Sequence, residues 1–200
     1  MKSCSVLPEN YIQRTVIDLE KDKKAFWFVN ILSLVIAALM VAIGVWAVPL
    51  DLEPDADNFV LELLLPLIVL LAGIFAYIVL HEAVHGVFMY AFSRVRPRFG
   101  FKLVFAYAGS EAYFDKIRYI VIALAPVVFW GMVLLIIDLF CKGIWFWVFY
   151  IIQVCNVGGA AGDFYVTAKI LRMPKDILIQ DTGTQMTVFA PVQEKREEGS

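Results

Sequence analysis

Four long apolar runs decide what this chain can fold into. They are Phe26 to Val48, a stretch within Phe59 to Phe92, about Tyr119 to Phe140, and about Ile144 to Asp163, with the last helix able to continue to Leu171. A bilayer core of roughly 30 Å is crossed by about 20 helical residues, and each run is long enough. Hydrophobic residues make up 61% of the chain and charged residues only 18%, with a mean hydropathy of +0.76. That excludes an ordinary soluble domain. Inside lipid the backbone must satisfy its own polar groups, which favours helices. The expected fold is an all-α polytopic membrane protein with four transmembrane helices, at about 26–48, 66–92, 119–140 and 144–168.

Lysine and arginine placement predicts the orientation. The segment 1–25 holds Lys2, Arg14, Lys21, Lys23 and Lys24. The connection 49–58 has no basic residue and holds Asp51, Glu53, Asp55 and Asp57. The connection 93–118 is rich in arginine, the short third connection has only Lys142, and the C-terminal part holds Lys169, Arg172, Lys175, Lys195 and Arg196. This alternation is the positive-inside pattern with both termini in the cytoplasm. No cleavable signal peptide is expected, because the first span is too long for a signal sequence. Cys4, Cys141 and Cys155 form neither a C-x-x-C pair nor an even framework, so no disulfide scaffold is expected.

The second span carries His81-Glu82-Ala83-Val84-His85, with the only two histidines of the chain. Residues four apart share a helix face, so both imidazoles can reach one ion. H-E-x-x-H on a helix reads as two zinc ligands with the glutamate as general base. The plain alternative is a hydrogen-bonded polar cluster that joins helices, but ionisable groups inside a span point first to function. A catalytic zinc usually takes three protein ligands. The remaining one must be Asp, Glu or Cys, from Glu62, Glu111, Asp138, Cys141, Cys155 or Asp163. Depth favours Asp163, since it and His81 both lie near the cytoplasmic ends of their spans. A helix-capping or pairing carboxylate is its alternative role. Asn156 is seven residues earlier on the same face. It is a candidate substrate contact, or else an interhelical hydrogen bond.

Outside the spans, Phe99 to Tyr107 alternates with period two, Ala108-Gly109-Ser110 is a turn candidate, and Ala112 to Phe114 can return as a second strand. This predicts a short membrane-associated β-hairpin over 98–114. Its edge, with Phe101 and Leu103, is either a membrane-surface anchor or a strand that holds an extended peptide by β-augmentation. A small cytoplasmic β-hairpin is expected over 172–191, turning at Asp181-Thr182-Gly183-Thr184 and structural in role. A disordered tail is expected over 192–200.

Taken together, His81-Glu82-Ala83-Val84-His85-Gly86 in one span and Asn156-Val157-Gly158-Gly159-Ala160-Ala161-Gly162-Asp163 in a later one resemble the site-2 protease class of intramembrane zinc metalloproteases. In that class the aspartate of the later segment is the third ligand. Here Val157 stands where that class has proline, and glycine precedes Asp163 rather than following it. The chain is also similar, from about Lys24 to Pro191, to a family of small four-span bacterial membrane proteins labelled putative zincin peptidases. That likeness includes Phe99-Gly100-Phe101, Ala161-Gly162-Asp163 and the Asp181 hairpin. The resemblance implies a zinc-dependent peptidase of the bacterial cytoplasmic membrane, with Zn²⁺ on His81, His85 and Asp163 and Glu82 as catalytic base. Its partners would be the lipid bilayer and a membrane-associated peptide or transmembrane protein, with no nucleic acid. The rival expectation is a non-catalytic membrane protein that binds metal or a partner through the same site.

Overall fold

The computed structural model describes residues 3–49, 59–102 and 105–192. The acidic connection residues Asp51, Glu53, Asp55 and Asp57, the strand residue Leu103 and the tail from 193 onward lie outside the described residues. Four helical stretches are long and apolar enough to cross a membrane: Lys23–Ala47, Val60–Ser93, Lys116–Phe140 and Ile144–Leu171. They match the four expected runs.

Local chemistry sets their ends. Helix α1 (Lys23–Ala47) starts at Asp22, whose carboxylate accepts from the backbone N–H of Lys24 and Ala25. A π-helical turn (Val60–Leu64) leads into α2 (Leu65–Ser93), which stops at Arg94 in the left-handed region, φ 61°. Asp115 caps α3 (Lys116–Phe140) in the same way as Asp22 caps α1. The last stretch is broken into α4 (Ile144–Gly159) and α5 (Ala161–Leu171) at Ala160. The break puts Asp163 in the first turn of α5. Helix α1 packs on α4 and α5 rather than on α2 or α3. A methyl on Gly158 would lie 3.4 Å from the Ser33 carbonyl, and the Tyr150 ring covers Gly44 while its hydroxyl donates to the Met40 carbonyl at 2.6 Å. Small residues thus let α1 and α4 approach at both ends of their contact.

The strands are Tyr11–Ile17 (β1), Arg98–Lys102 (β2), Phe105–Gly109 (β3), Tyr113–Asp115 (β4), Leu178–Asp181 (β5) and Met186–Pro191 (β6). They form an antiparallel pair β2-β3 and a four-stranded antiparallel sheet of order β1-β6-β5-β4. The sheet packs through Phe114, Ile177, Ile179 and Val188 onto Met89, Tyr119, Ile122 and Ile170 at the ends of α2, α3 and α5.

Two expectations are corrected here. The Phe99–Tyr107 alternation is not one strand: it reverses between Lys102 and Phe105, which pair with each other. Phe99 then faces Ala108 and Gly100 faces Tyr107, so the alternation changes face at the reversal. Gly100 is small because the Tyr107 ring occupies the space a side chain would fill. The expected return strand near 112–114 belongs instead to the other sheet. Nor does the C-terminal hairpin stand alone, since β6 pairs with β1 from the N-terminal segment and β5 with β4.

The two sheets meet where the Ser110 N–H donates to the Asp181 carbonyl at 2.7 Å. A methyl on Gly109 would lie 2.3 Å from the Thr182 carbonyl carbon. Gly109→Ala should therefore destabilise the protein by about 1–3 kcal/mol. Gly159→Ala, where nothing lies within 4 Å of an added methyl, should be near neutral. Thermal unfolding of both variants in detergent checks the contrast.

Candidate metal centre

Helix α2 is unburied over most of its length, yet buries Tyr77, His81, His85 and Met89. These are spaced by four and form one stripe that faces inward. Asp163, in the first turn of α5, meets that stripe. His81 Nε2 lies 3.4 Å from Asp163 Oδ2 and His85 Nε2 lies 3.7 Å from Asp163 Oδ1. The two rings have centroids 5.0 Å apart and are tilted by 77°. Among the described residues, His81, His85 and Asp163 form the one group of three such side chains able to hold a metal ion, with one ligand atom from each all within 4.8 Å of one another. Ligand atoms at about 2.0–2.2 Å in a tetrahedron stand roughly 3.4 Å apart, so the donor set fits zinc.

The outward nitrogens orient the rings. Tyr77 Oη lies 2.7 Å from His81 Nδ1 and donates to Asn156 Oδ1 at 3.1 Å. The Asn156 amide nitrogen donates to the Val127 carbonyl at 3.1 Å and to Gln153 Oε1 at 3.2 Å, which fixes which way the amide points. A phenol has one proton, and it is spent on Asn156. Tyr77 must then accept from His81 Nδ1–H, which leaves the Nε2 lone pair toward Asp163. His85 Nδ1 lies 2.9 Å from the Ile122 carbonyl, so it too is the protonated nitrogen. Both imidazoles thus present the free nitrogen that a metal requires.

These three side chains open onto a cleft of about 510 Å³. Glu82 lines it beside the histidines, with the Ala108 backbone N–H hydrogen-bonded to its carboxylate. Phe26 and Asn30 of α1 form one wall, and Ala106, Tyr107 and Ala108 of β3 another. The β5–β6 turn forms part of the rim through Asp181 and Gly183. The Asp181 carboxylate accepts from Tyr119 Oη at 2.6 Å and from the Gly183 N–H at 2.8 Å. Burial pushes this carboxyl above the usual carboxylate range, against those two hydrogen bonds, which pull it down.

The structure therefore brings together His81, Glu82, His85 and Asp163. It does not bring in the other predicted contacts. Asn156 is fully buried and absent from the cleft lining, because its amide is consumed in holding Tyr77. Phe101 lies on β2 and is 67% exposed, with β3 between it and the cleft. Leu103 lies outside the described residues. Of the rival ligands, Glu111 pairs with Arg98 at 2.7 Å on the surface. Tyr77 and Asp181 were not foreseen. Tyr77 had a signal, since it continues the spacing of the histidines one turn earlier. Asp181 was marked only as part of the C-terminal hairpin, and nothing in the sequence placed it beside the histidines. Gly86 is explained by contact: a methyl there would lie 2.3 Å from Phe99 Cζ, so the glycine lets β2 lie on α2.

A family model described as "Putative zincin peptidase" matches residues 74–178, just over half of the chain. The chain belongs to this family. The matched segment holds His81, Glu82, His85 and Asp163, and it leaves out α1 and β6. Searches of curated proteins and of solved structures return no match.

For this zincin-family centre, purified protein should carry about one zinc per chain, and His81→Ala or Asp163→Ala should lose it. Tyr77→Phe should keep the fold but weaken zinc affinity by about 10–100-fold, as loss of an outer hydrogen-bond partner does. Competition titration against a zinc-binding dye measures both.

Proposed function

We propose that this protein is a membrane-embedded, zinc-dependent peptidase that hydrolyses a membrane-associated peptide near the cytoplasmic face of the bacterial plasma membrane. One observation carries the reading: two imidazole nitrogens and a carboxylate converge at a cleft that is also lined by a glutamate, next in sequence to the first histidine. Family membership agrees with it. His81, His85 and Asp163 are the ligands. Zinc held there supplies Lewis-acid polarisation and makes water acidic enough to react near neutral pH.

The chain's own residues supply the rest. Glu82 takes a proton from the attacking water and returns it to the leaving amine. The Ala108 N–H holds the Glu82 carboxylate in place. The peptide is held by β3 rather than by β2. In an antiparallel pair, residues alternately point their backbone groups toward and away from the partner. Ala108 points its N–H away from β2, toward Glu82, so Ala106 of the same strand turns its N–H and C=O to the same side. An extended peptide laid along that edge gains main-chain hydrogen bonds at the mouth of the metal centre. The peptide enters between α1, which packs on α4 and α5, and α2.

Orientation follows from the basic residues flanking the spans. A green fluorescent protein fused at the C-terminus should fluoresce, and alkaline phosphatase inserted next to Lys142 should be active.

Catalysis is tested with Glu82→Gln. The variant should retain about one zinc per chain and lose cleavage by about 10²–10⁴-fold, the usual contribution of a general base. Comparing peptide termini in membranes that contain wild type or Glu82→Gln reads the loss without a known substrate. Identical sets of termini, with zinc bound in both, would overturn the peptidase reading and leave a metal-binding membrane protein.

A further inference from the structure

His85 owes its orientation to a carbonyl that a regular helix would not leave open. Ile122 lies inside α3, where the carbonyl of residue i ordinarily accepts from the N–H of residue i+4. The residue four positions on is Pro126, which has no N–H. The Ile122 carbonyl therefore lacks its helical donor, and His85 Nδ1–H fills the place at 2.9 Å. Ile122 and Pro126 are both under 2% exposed, so the carbonyl is buried. A buried carbonyl without a donor is unfavourable, and the hydrogen bond satisfies both groups at once.

We propose that Pro126 is a positioning residue of the metal centre. By withholding an N–H from the Ile122 carbonyl it reserves that acceptor for His85. This sets the tautomer and ring plane with which His85 Nε2 faces Asp163. The proposal rests on the reading of His81, His85 and Asp163 as metal ligands. It differs from a packing role, in which proline would serve only to bend α3 or fill space. In Pro126→Ala the new backbone N–H competes for the Ile122 carbonyl, and His85 is released to adopt either tautomer.

The test uses full-length protein in detergent. Pro126→Ala should weaken zinc affinity by about 10–100-fold. Nitrogen NMR of its two histidines, without metal, should show His85 leaving the pure Nδ1–H form that the wild type holds. A second variant carries the α-hydroxy analogue of alanine at position 126, which places an ester oxygen where the N–H would be. It lacks the proline ring but again offers the carbonyl no donor, so affinity and tautomer should return toward wild type. Wild-type affinity and tautomer in Pro126→Ala overturn the proposal. So does an ester variant as impaired as Pro126→Ala, which would make the ring itself the essential part.

If Pro126→Ala does not fold, the α-hydroxy analogue of alanine at position 123 keeps the proline and turns the Ile122 carbonyl into an ester carbonyl, a weaker acceptor. A several-fold loss of zinc affinity with a mixed His85 tautomer supports the proposal, and no change overturns it. Should the wild type bind no zinc at all, the ligand reading fails separately. The tautomer measurement then decides on its own: His85 still purely Nδ1–H in Pro126→Ala overturns the role of Pro126.

Discussion

Three backbone carbonyls of α3 carry the polar interior of this protein. The Ile122 carbonyl accepts from His85 Nδ1–H, that of Val127 from the Asn156 amide, and that of Gly131 from Gln153 at 3.2 Å. Every hydrogen-bonded chain that starts at a histidine ends on this helix. The arrangement answers a general constraint. In an apolar interior each donor needs an acceptor, and side-chain acceptors would themselves need support. A helix backbone is already fixed, so its carbonyls can end such a chain without a further partner. The two histidines belong to α2 and the aspartate to α5, yet the direction of each imidazole is set from the helix between them.

Helix α2 then serves two surroundings. Its stripe of Tyr77, His81, His85 and Met89 is buried, while Phe75, Leu71 and Val87 remain exposed. Chain reversals near the cleft depend on small residues where backbones touch. Phe99 lies on Gly86, Tyr107 on Gly100, and the Thr182 carbonyl against Gly109. Through these contacts β2, β3 and the β5–β6 turn seat against one another and against α2. The cleft is thus walled by elements that are far apart in the chain but in direct contact.

The four long apolar helices and the meeting of His81, His85 and Asp163 were legible in the sequence. Long apolar runs have a length scale fixed by the bilayer, and His81 and His85 share a face by spacing alone. Asp163 could be picked out because its depth along the fourth run matches that of His81. What was hidden depends on long-range pairing or on backbone groups. Strand β1 buries only Tyr11 and Ile17 at its ends, so it shows no period-two burial, and its partner β6 lies at the other end of the chain. Asn156 read either as a contact for substrate, because it shares a face with Asp163, or as an interhelical hydrogen bond. Only the structure shows its amide already committed to Tyr77, Val127 and Gln153. Pro126 carried no signal, since nothing in sequence links it to a histidine on another helix.

The reversal between β2 and β3 has a consequence for how this chain can change over evolution. Two residues separate the paired Lys102 and Phe105. Adding or losing one, where it slips the pairing of β3 on β2 by a residue, would turn the Ala108 N–H from Glu82 toward β2. Loops usually drift freely in length. Here a change of length is tolerated only where it leaves β3 in register with β2 and so keeps the Ala108 N–H at Glu82.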